Sequence, residues 1–189
     1  RILGTLLALI GIALGTLYWL GTRDDASTGA ATAPADPQQR IERGRYLALA
    51  GNCMACHTAR GGQAYAGGTP IPTPFGTIYG PNITPDDKTG IGAWSADDFW
   101  QALHNGKSRD GTLLYPAFPY TEYTRVTRAD ADALFAYLRT ITPVHQPSRA
   151  PDLDFPYDQR LLLAAWRALY FRPGVQEADP GQSTQWNRG

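Results

Sequence analysis

The chain has 189 residues, 43% of them apolar, which is room for one globular domain with a real core and appendages. Its 17 basic residues balance 17 acidic ones, and no long run of either sign suggests nucleic acid as a partner. Cys53 and Cys56 are the only cysteines, so no disulfide staples distant segments and the two thiols act together.

Ile2 to Leu20 is a stretch of 19 residues without a charge. As a helix it would span roughly 28 Å, close to the hydrocarbon thickness of a bilayer. Tyr18 and Trp19 stand near its end, where interfacial aromatics belong. The expectation is a transmembrane anchor over residues 1–22. A cleavable signal peptide is the competing reading, with Ala31-Thr32-Ala33 as its small-x-small site and Pro34 against it. Gly11 and Gly15 form a GxxxG that suits helix packing or plain membrane-helix glycine. Residues 23–37 are small, polar and proline-containing, and read as a flexible linker.

A first domain helix is expected from Gln38 to about Gly51, with Asp36 as N-cap and Pro37 at N1. Gly61 to Gly92 is a long Gly/Pro-rich loop that needs something to hold it. Ser95 and Asp98 make a capping-box-like start for a second helix, stopped by Asn105-Gly106. Thr127 and Asp130 repeat that start for a third, carrying Leu134, Phe135, Leu138 and Ile141 and ended by Pro143. A fourth runs from about Gln159 to Phe171. No strand pattern of comparable length appears, so the expected class is all-α. Trp94, Trp100 and Trp166 are read as packing residues.

Cys53-Met54-Ala55-Cys56-His57 is a CxxCH motif. Two thiols three residues apart reach the two vinyl groups of one haem, and the next histidine reaches the iron. Cys53 and Cys56 are therefore the expected thioether attachments of one covalent haem c, and His57 its proximal ligand. A redox-active dithiol shares the CxxC spacing but expects a βαβ pattern. A structural zinc site needs further ligands, for which His104 and His145 are the only histidines left. No paired-carboxylate site, phosphate loop or Ser/His/Asp set stands out.

The segments RGRYLALAGNCMACHT (43–58), GGTPIPTPFGTIYGPNITPD (67–86), IGAWSADDFWQALHNG (91–106), LYPAFPYTEYTRVTRADADALFAYLRTITPVHQP (114–147) and FPYDQRLLLAAW (155–166) resemble, in order, one family. They are similar to the first haem domain of cytochrome c subunits of membrane-bound periplasmic dehydrogenases acting on alcohols, aldehydes or gluconate. The resemblance implies a class I cytochrome c fold after a single transmembrane helix, with a haem domain over 38–147. It also implies that Gly44 lets the first helix cross the Leu134–Leu138 face of the third. Residues 148–189 would form a helix and a linker leading into a further haem domain. Haem attachment in this family takes place outside the cytoplasm, which implies a bacterial inner-membrane protein with its haem domain in the periplasm. Dehydrogenase or oxidase subunits would be its partners.

The family takes its sixth iron ligand from a methionine in YPAMPY, and this chain has Phe118 there. Met54, the only methionine, lies between the attaching cysteines. An open distal position shielded by Phe118 is expected, with His104 a weak candidate ligand and His145, Tyr115, Tyr120 and Lys107 weaker ones. The expected function is single-electron transfer from a dehydrogenase to quinone, another haem or an oxidase. Peroxide reduction or gas binding at an open iron is the alternative.

Overall fold

The computed structural model describes residues 1–29 and 34–187. The small-x-small site at Ala31-Thr32-Ala33 lies outside the described residues. Helix α1, Ile2–Thr22, is long and apolar enough to cross a membrane, and it meets the rest of the protein near its C-terminal end, where Leu17, Leu20, Gly21 and Thr22 lose exposure. Helix α2, Pro37–Ala50, opens as its capping residue dictates: the Asp36 carboxylate accepts from the Gln38 N–H at 3.0 Å. Helix α3, Cys53–His57, is a single short turn-and-a-half that sequence periodicity could not reveal.

Helix α4, Ala96–Asn105, carries the full reciprocal cap. Ser95 Oγ accepts from the Asp98 N–H at 3.1 Å, and Asp98 accepts from the Ser95 N–H at 2.8 Å. Gly106 ends it in a left-handed conformation. Helix α5, Tyr120–Tyr123, precedes helix α6, Arg128–Leu138, where Thr127 Oγ1 accepts from the Asp130 N–H at 3.2 Å. The reciprocal half of that box is missing because the Asp130 carboxylate pairs with Arg43 of α2.

Helices α2 and α6 cross at Gly44. A Cβ there would overlap the Ala133 carbonyl and crowd Tyr137 Cβ, so only glycine permits this approach. The crossing is one residue earlier on α6 than the Leu134–Leu138 face. Leu134 and Leu138 instead point into the core, with Ala48, Ile91, Phe99, Trp100 and Leu103. Each such leucine contributes about 1.5–3 kcal/mol by leaving water.

A helix-only domain was expected, and here the structure differs. Strands β1, Pro70–Thr73, β2, Gly76–Tyr79, and β3, Asp152–Leu153, form a three-stranded antiparallel sheet in that order. The strands are too short to show alternation, and Pro70 and Pro72 are tolerated because β1 is an edge. The long Gly/Pro-rich segment therefore contains a folded hairpin. Beyond it, helix α7, Leu161–Tyr170, packs on the end of α1, and helix α8, Thr184–Asn187, lies near the C-terminus.

The segment after α1 makes specific contacts. Asp25 N–H donates to Asn105 Oδ1, Asn105 Nδ2 donates back to the Asp25 carbonyl, both at 3.0 Å, and Arg128 N–H donates to the Thr28 carbonyl at 2.8 Å. Residues 23–29, read from composition as flexible, are thus strapped across α4 and α6.

Candidate haem-attachment site

Helix α3 places Cys53, Cys56 and His57 on one short element directly after α2. Neither thiol is in a disulfide, and both are half-buried. Cys53 packs against the core cluster. Burial pushes its thiol pKa up, with a smaller push from Cys56. A redox-active dithiol needs the opposite shift, toward thiolate. Among the described residues no group of three or more His, Cys, Asp or Glu side chains is placed to hold a metal ion, so the zinc reading lacks ligands.

The decisive geometry belongs to His57. Its Nδ1 lies 2.8 Å from the Pro81 carbonyl oxygen. A carbonyl only accepts, so Nδ1 carries the hydrogen and Nε2 keeps its lone pair. That fixes both the tautomer and the ring orientation, as in metal-ligating histidines generally. Burial lowers the His57 pKa while the bond to Pro81 opposes it, and the net effect favours the neutral ring. Pro81 is held by its own neighbours: Gly80 N–H donates to the Thr69 carbonyl at 3.0 Å and Gly67 N–H to the His57 carbonyl at 2.8 Å.

Tyr123 and Tyr65 complete the surroundings, and neither was singled out in the sequence. Tyr123 Oη donates to the Gly51 carbonyl at 2.7 Å, just before α3, and its ring stacks on Phe118 with centroids 5.4 Å apart. Burial, then the two cysteines, push the Tyr123 phenol up to about 12. Tyr65 is buried, and among the described residues its hydroxyl makes no well-formed hydrogen bond, Tyr137 lying edge-on beside it. Burial raises its pKa too, with Tyr137 and Cys53 adding to it. An unpartnered buried hydroxyl near the cysteines fits a ligand with polar groups on an apolar body. Half-buried Leu47, Ile83, Trp94 and Phe118 rest on the core and supply an apolar wall. Free thiols, a lone pair aimed by Pro81 and this lining all fit a covalent haem.

Asn82 shapes the loop around Pro81. Its Nδ2 donates to the Val144 carbonyl at 2.8 Å and to Thr89 Oγ1 at 3.1 Å, and its Oδ1 accepts from Thr84 N–H at 2.9 Å. This ties the loop after β2 to the segment that follows α6.

Phe118 stands on the same side of the domain through Tyr123, but the other candidates for the sixth ligand are elsewhere. His104 is 0% exposed, with Nδ1 2.9 Å from the Thr124 carbonyl and Nε2 2.8 Å from Asp25 Oδ1. Both ring nitrogens are engaged by protein oxygens, so neither is free to reach iron. His104 is a structural residue beneath the end of α1, stacked on Trp100 at 4.3 Å. Lys107 is engaged by Asp24 and the Thr22 carbonyl. Tyr120 is wholly buried against Phe171 and Trp166, and Tyr115 Oη donates to the Asp158 carbonyl. His145 is 63% exposed beside Asp86. Met54 is exposed between the cysteines.

Residues 41–142 match the family model for cytochrome c. The chain belongs to the cytochrome c family. Covalent haem c is its cofactor. Over 98% of its length it is 46% identical to a nicotinate dehydrogenase component of Pseudomonas putida, covering 16% of that protein. It is 42% identical to the gluconate 2-dehydrogenase cytochrome c subunit of Pantoea cypripedii, over 92% of this chain and 38% of that one. It is also 42% identical to the cytochrome c subunit of alcohol dehydrogenase (quinone) from Gluconacetobacter polyoxogenes, over 84% of this chain and 34% of the relative. The cytochrome c chain thus spans well under half the length of these relatives, and the resemblance to dehydrogenase cytochrome subunits is borne out.

Proposed function

We propose that this cytochrome c domain passes single electrons from a periplasmic dehydrogenase to quinone, to another haem or to a terminal oxidase. In this reading residues 1–22 anchor it in the bacterial inner membrane, 23–37 connect, 38–147 hold the haem and 148–189 lead away from it. Haem c supplies a one-electron iron couple. Cys53 and Cys56 hold it through thioethers, and His57 Nε2 is the proximal ligand. The observation that carries the reading is the 2.8 Å contact of His57 Nδ1 with the Pro81 carbonyl, which presents Nε2 for coordination. The relatives, named as components of dehydrogenases, support a dehydrogenase partner.

The test is an intact-mass measurement with a pyridine haemochrome assay on protein matured in the periplasm. One haem mass added to the chain and a spectrum typical of two saturated thioethers support the site. A colourless chain of unmodified mass overturns it. Co-purification from membranes then identifies the dehydrogenase.

Phe118 at the family's methionine position favours a second reading, an iron open on its distal side that binds carbon monoxide or similar gases. Peroxide chemistry is less well supported, because His104, the convenient distal acid/base group, is committed to Thr124 and Asp25. Fast carbon monoxide binding with no peroxide turnover separates the two.

A further inference from the structure

Helix α7 is apolar nearly all round. Leu163, Ala164 and Arg167 face inward, whereas Leu161, Leu162, Leu169 and Tyr170 are 48% to 70% exposed. Positions 162, 166, 169 and 170 share one face at helical spacing. Exposed leucines in such a row on a charged-surface protein mark a docking surface.

What lies beside this face is the end of α1. A Cβ on Gly21 would overlap the Ala164 carbonyl, so the two helices touch backbone to backbone. Arg167 Nε donates to the Gly21 carbonyl and its Nη1 to the Asn105 carbonyl, both at 2.6 Å. Lys107 Nζ donates to the Thr22 carbonyl at 2.5 Å. Helix α1 has no basic residue in its own last turn, so these two cations satisfy carbonyls that its C-terminus leaves open. Leu161 and Arg160 line one cleft with Tyr18 and Thr22. The start of α7 therefore lies at the depth of Tyr18 and Trp19, the aromatic girdle expected at a membrane surface.

Charge agrees with this placement. Arg160 and Arg172 flank α7, and the sequence from Arg160 to Gln176 contains no acidic residue. A helix with leucines outward and arginines at its ends suits the boundary between acyl chains and anionic headgroups.

We infer that α7 lies in the outer surface of the same bilayer that α1 crosses, so that the haem domain is held against the membrane at a fixed height and tilt. The joint of Gly21, Arg167, Asn105 and Lys107 sets that tilt. This rests on the reading of α1 as a membrane span.

The experiment uses the full haem-loaded chain in vesicles of phosphatidylethanolamine and phosphatidylglycerol. Nitroxide labels are placed one at a time by Leu169→Cys, Leu162→Cys, Gln63→Cys and Leu7→Cys. Thioether-linked Cys53 and Cys56 take up no label. Collisions with oxygen, which partitions into lipid, are compared with collisions with a water-soluble nickel chelate. The expected result is an oxygen-to-chelate ratio several-fold higher at 169 and 162 than at the exposed loop position 63. A ratio at both α7 positions equal to that at 63, with a lipid-like ratio at 7, overturns the inference and leaves the span standing. Protection of both from both reagents overturns it in favour of a protein partner. A chelate-accessible label at 7 removes the span reading and the inference with it.

Discussion

Replacing His104 with alanine discriminates between an iron ligand and a structural residue. The imidazole supplies the Thr124 carbonyl with a donor at 2.9 Å in a site with no water access, and an orphaned buried carbonyl costs ~1–3 kcal/mol. The bond to Asp25 adds less, ~0–1 kcal/mol, because that carboxylate is 33% exposed. Emptying the space against Trp100, whose ring is 4.3 Å away and nearly parallel, adds ~1–2 kcal/mol. The total loss is about 2–6 kcal/mol, a fall in Tm of about 4–24 °C for a chain of this size. Thermal melts of the haem-loaded protein in detergent, followed by far-UV circular dichroism, read that fall. Absorption spectra of the oxidised and reduced haem should stay unchanged at low temperature. A spectrum that switches spin state would show that His104 coordinates iron, and an unaltered Tm would show that its contacts with Thr124 and Asp25 carry no stability.

Phe118→Met restores the thioether of the family pattern; the expected outcome is a weak near-infrared methionine–iron band and a higher haem potential, read by redox titration. Gly44→Leu forces α2 and α6 apart at the Ala133 carbonyl, and should cost ~1–3 kcal/mol or more, measured by chemical denaturation. Burial alone would raise the Asp25 carboxyl, but hydrogen bonds from Ser27 and His104 outweigh it and hold the pKa below the ordinary 3.8. A depressed folded pKa stabilises above the ordinary value and is lost as pH falls through the folded one. The Tm difference between wild type and Asp25→Asn should thus persist at neutral pH and shrink only on acidification below the ordinary carboxylate range. A difference that grows on acidification would refute the assignment.

The helices were legible where their signals are local. Asp36, Ser95 with Asp98, and Thr127 each cap within three residues, and Gly106 stops α4 where a left-handed residue is required. The CxxCH motif likewise sits within five residues. What escaped the sequence is built from distant partners. Pro81 is 24 residues from the His57 it orients, and Tyr123 is 72 from Gly51. Asp25 is 79 from His104, so a histidine at a helix end looked free to reach iron when it was already committed. The hairpin was missed for another reason: strands of four residues with two prolines carry no alternation to read, and β3 completes the sheet from beyond residue 150.

On the proposed reading Phe118 stands where a methionine ligand would be, and the segment around it is well folded. Phe118 N–H still donates to the Tyr115 carbonyl at 3.1 Å, Tyr120 is still fully buried, and the Phe118 ring leans on Tyr123. Tyr123 in turn reaches the backbone beside α3. An aromatic ring in that position keeps the wall packed and apolar. Under the proposed ligation, thioethers at Cys53 and Cys56 would hold the haem without a bond from position 118. The same proposal gives His57 no such latitude: moving the Pro81 carbonyl would release the tautomer that leaves Nε2 its lone pair.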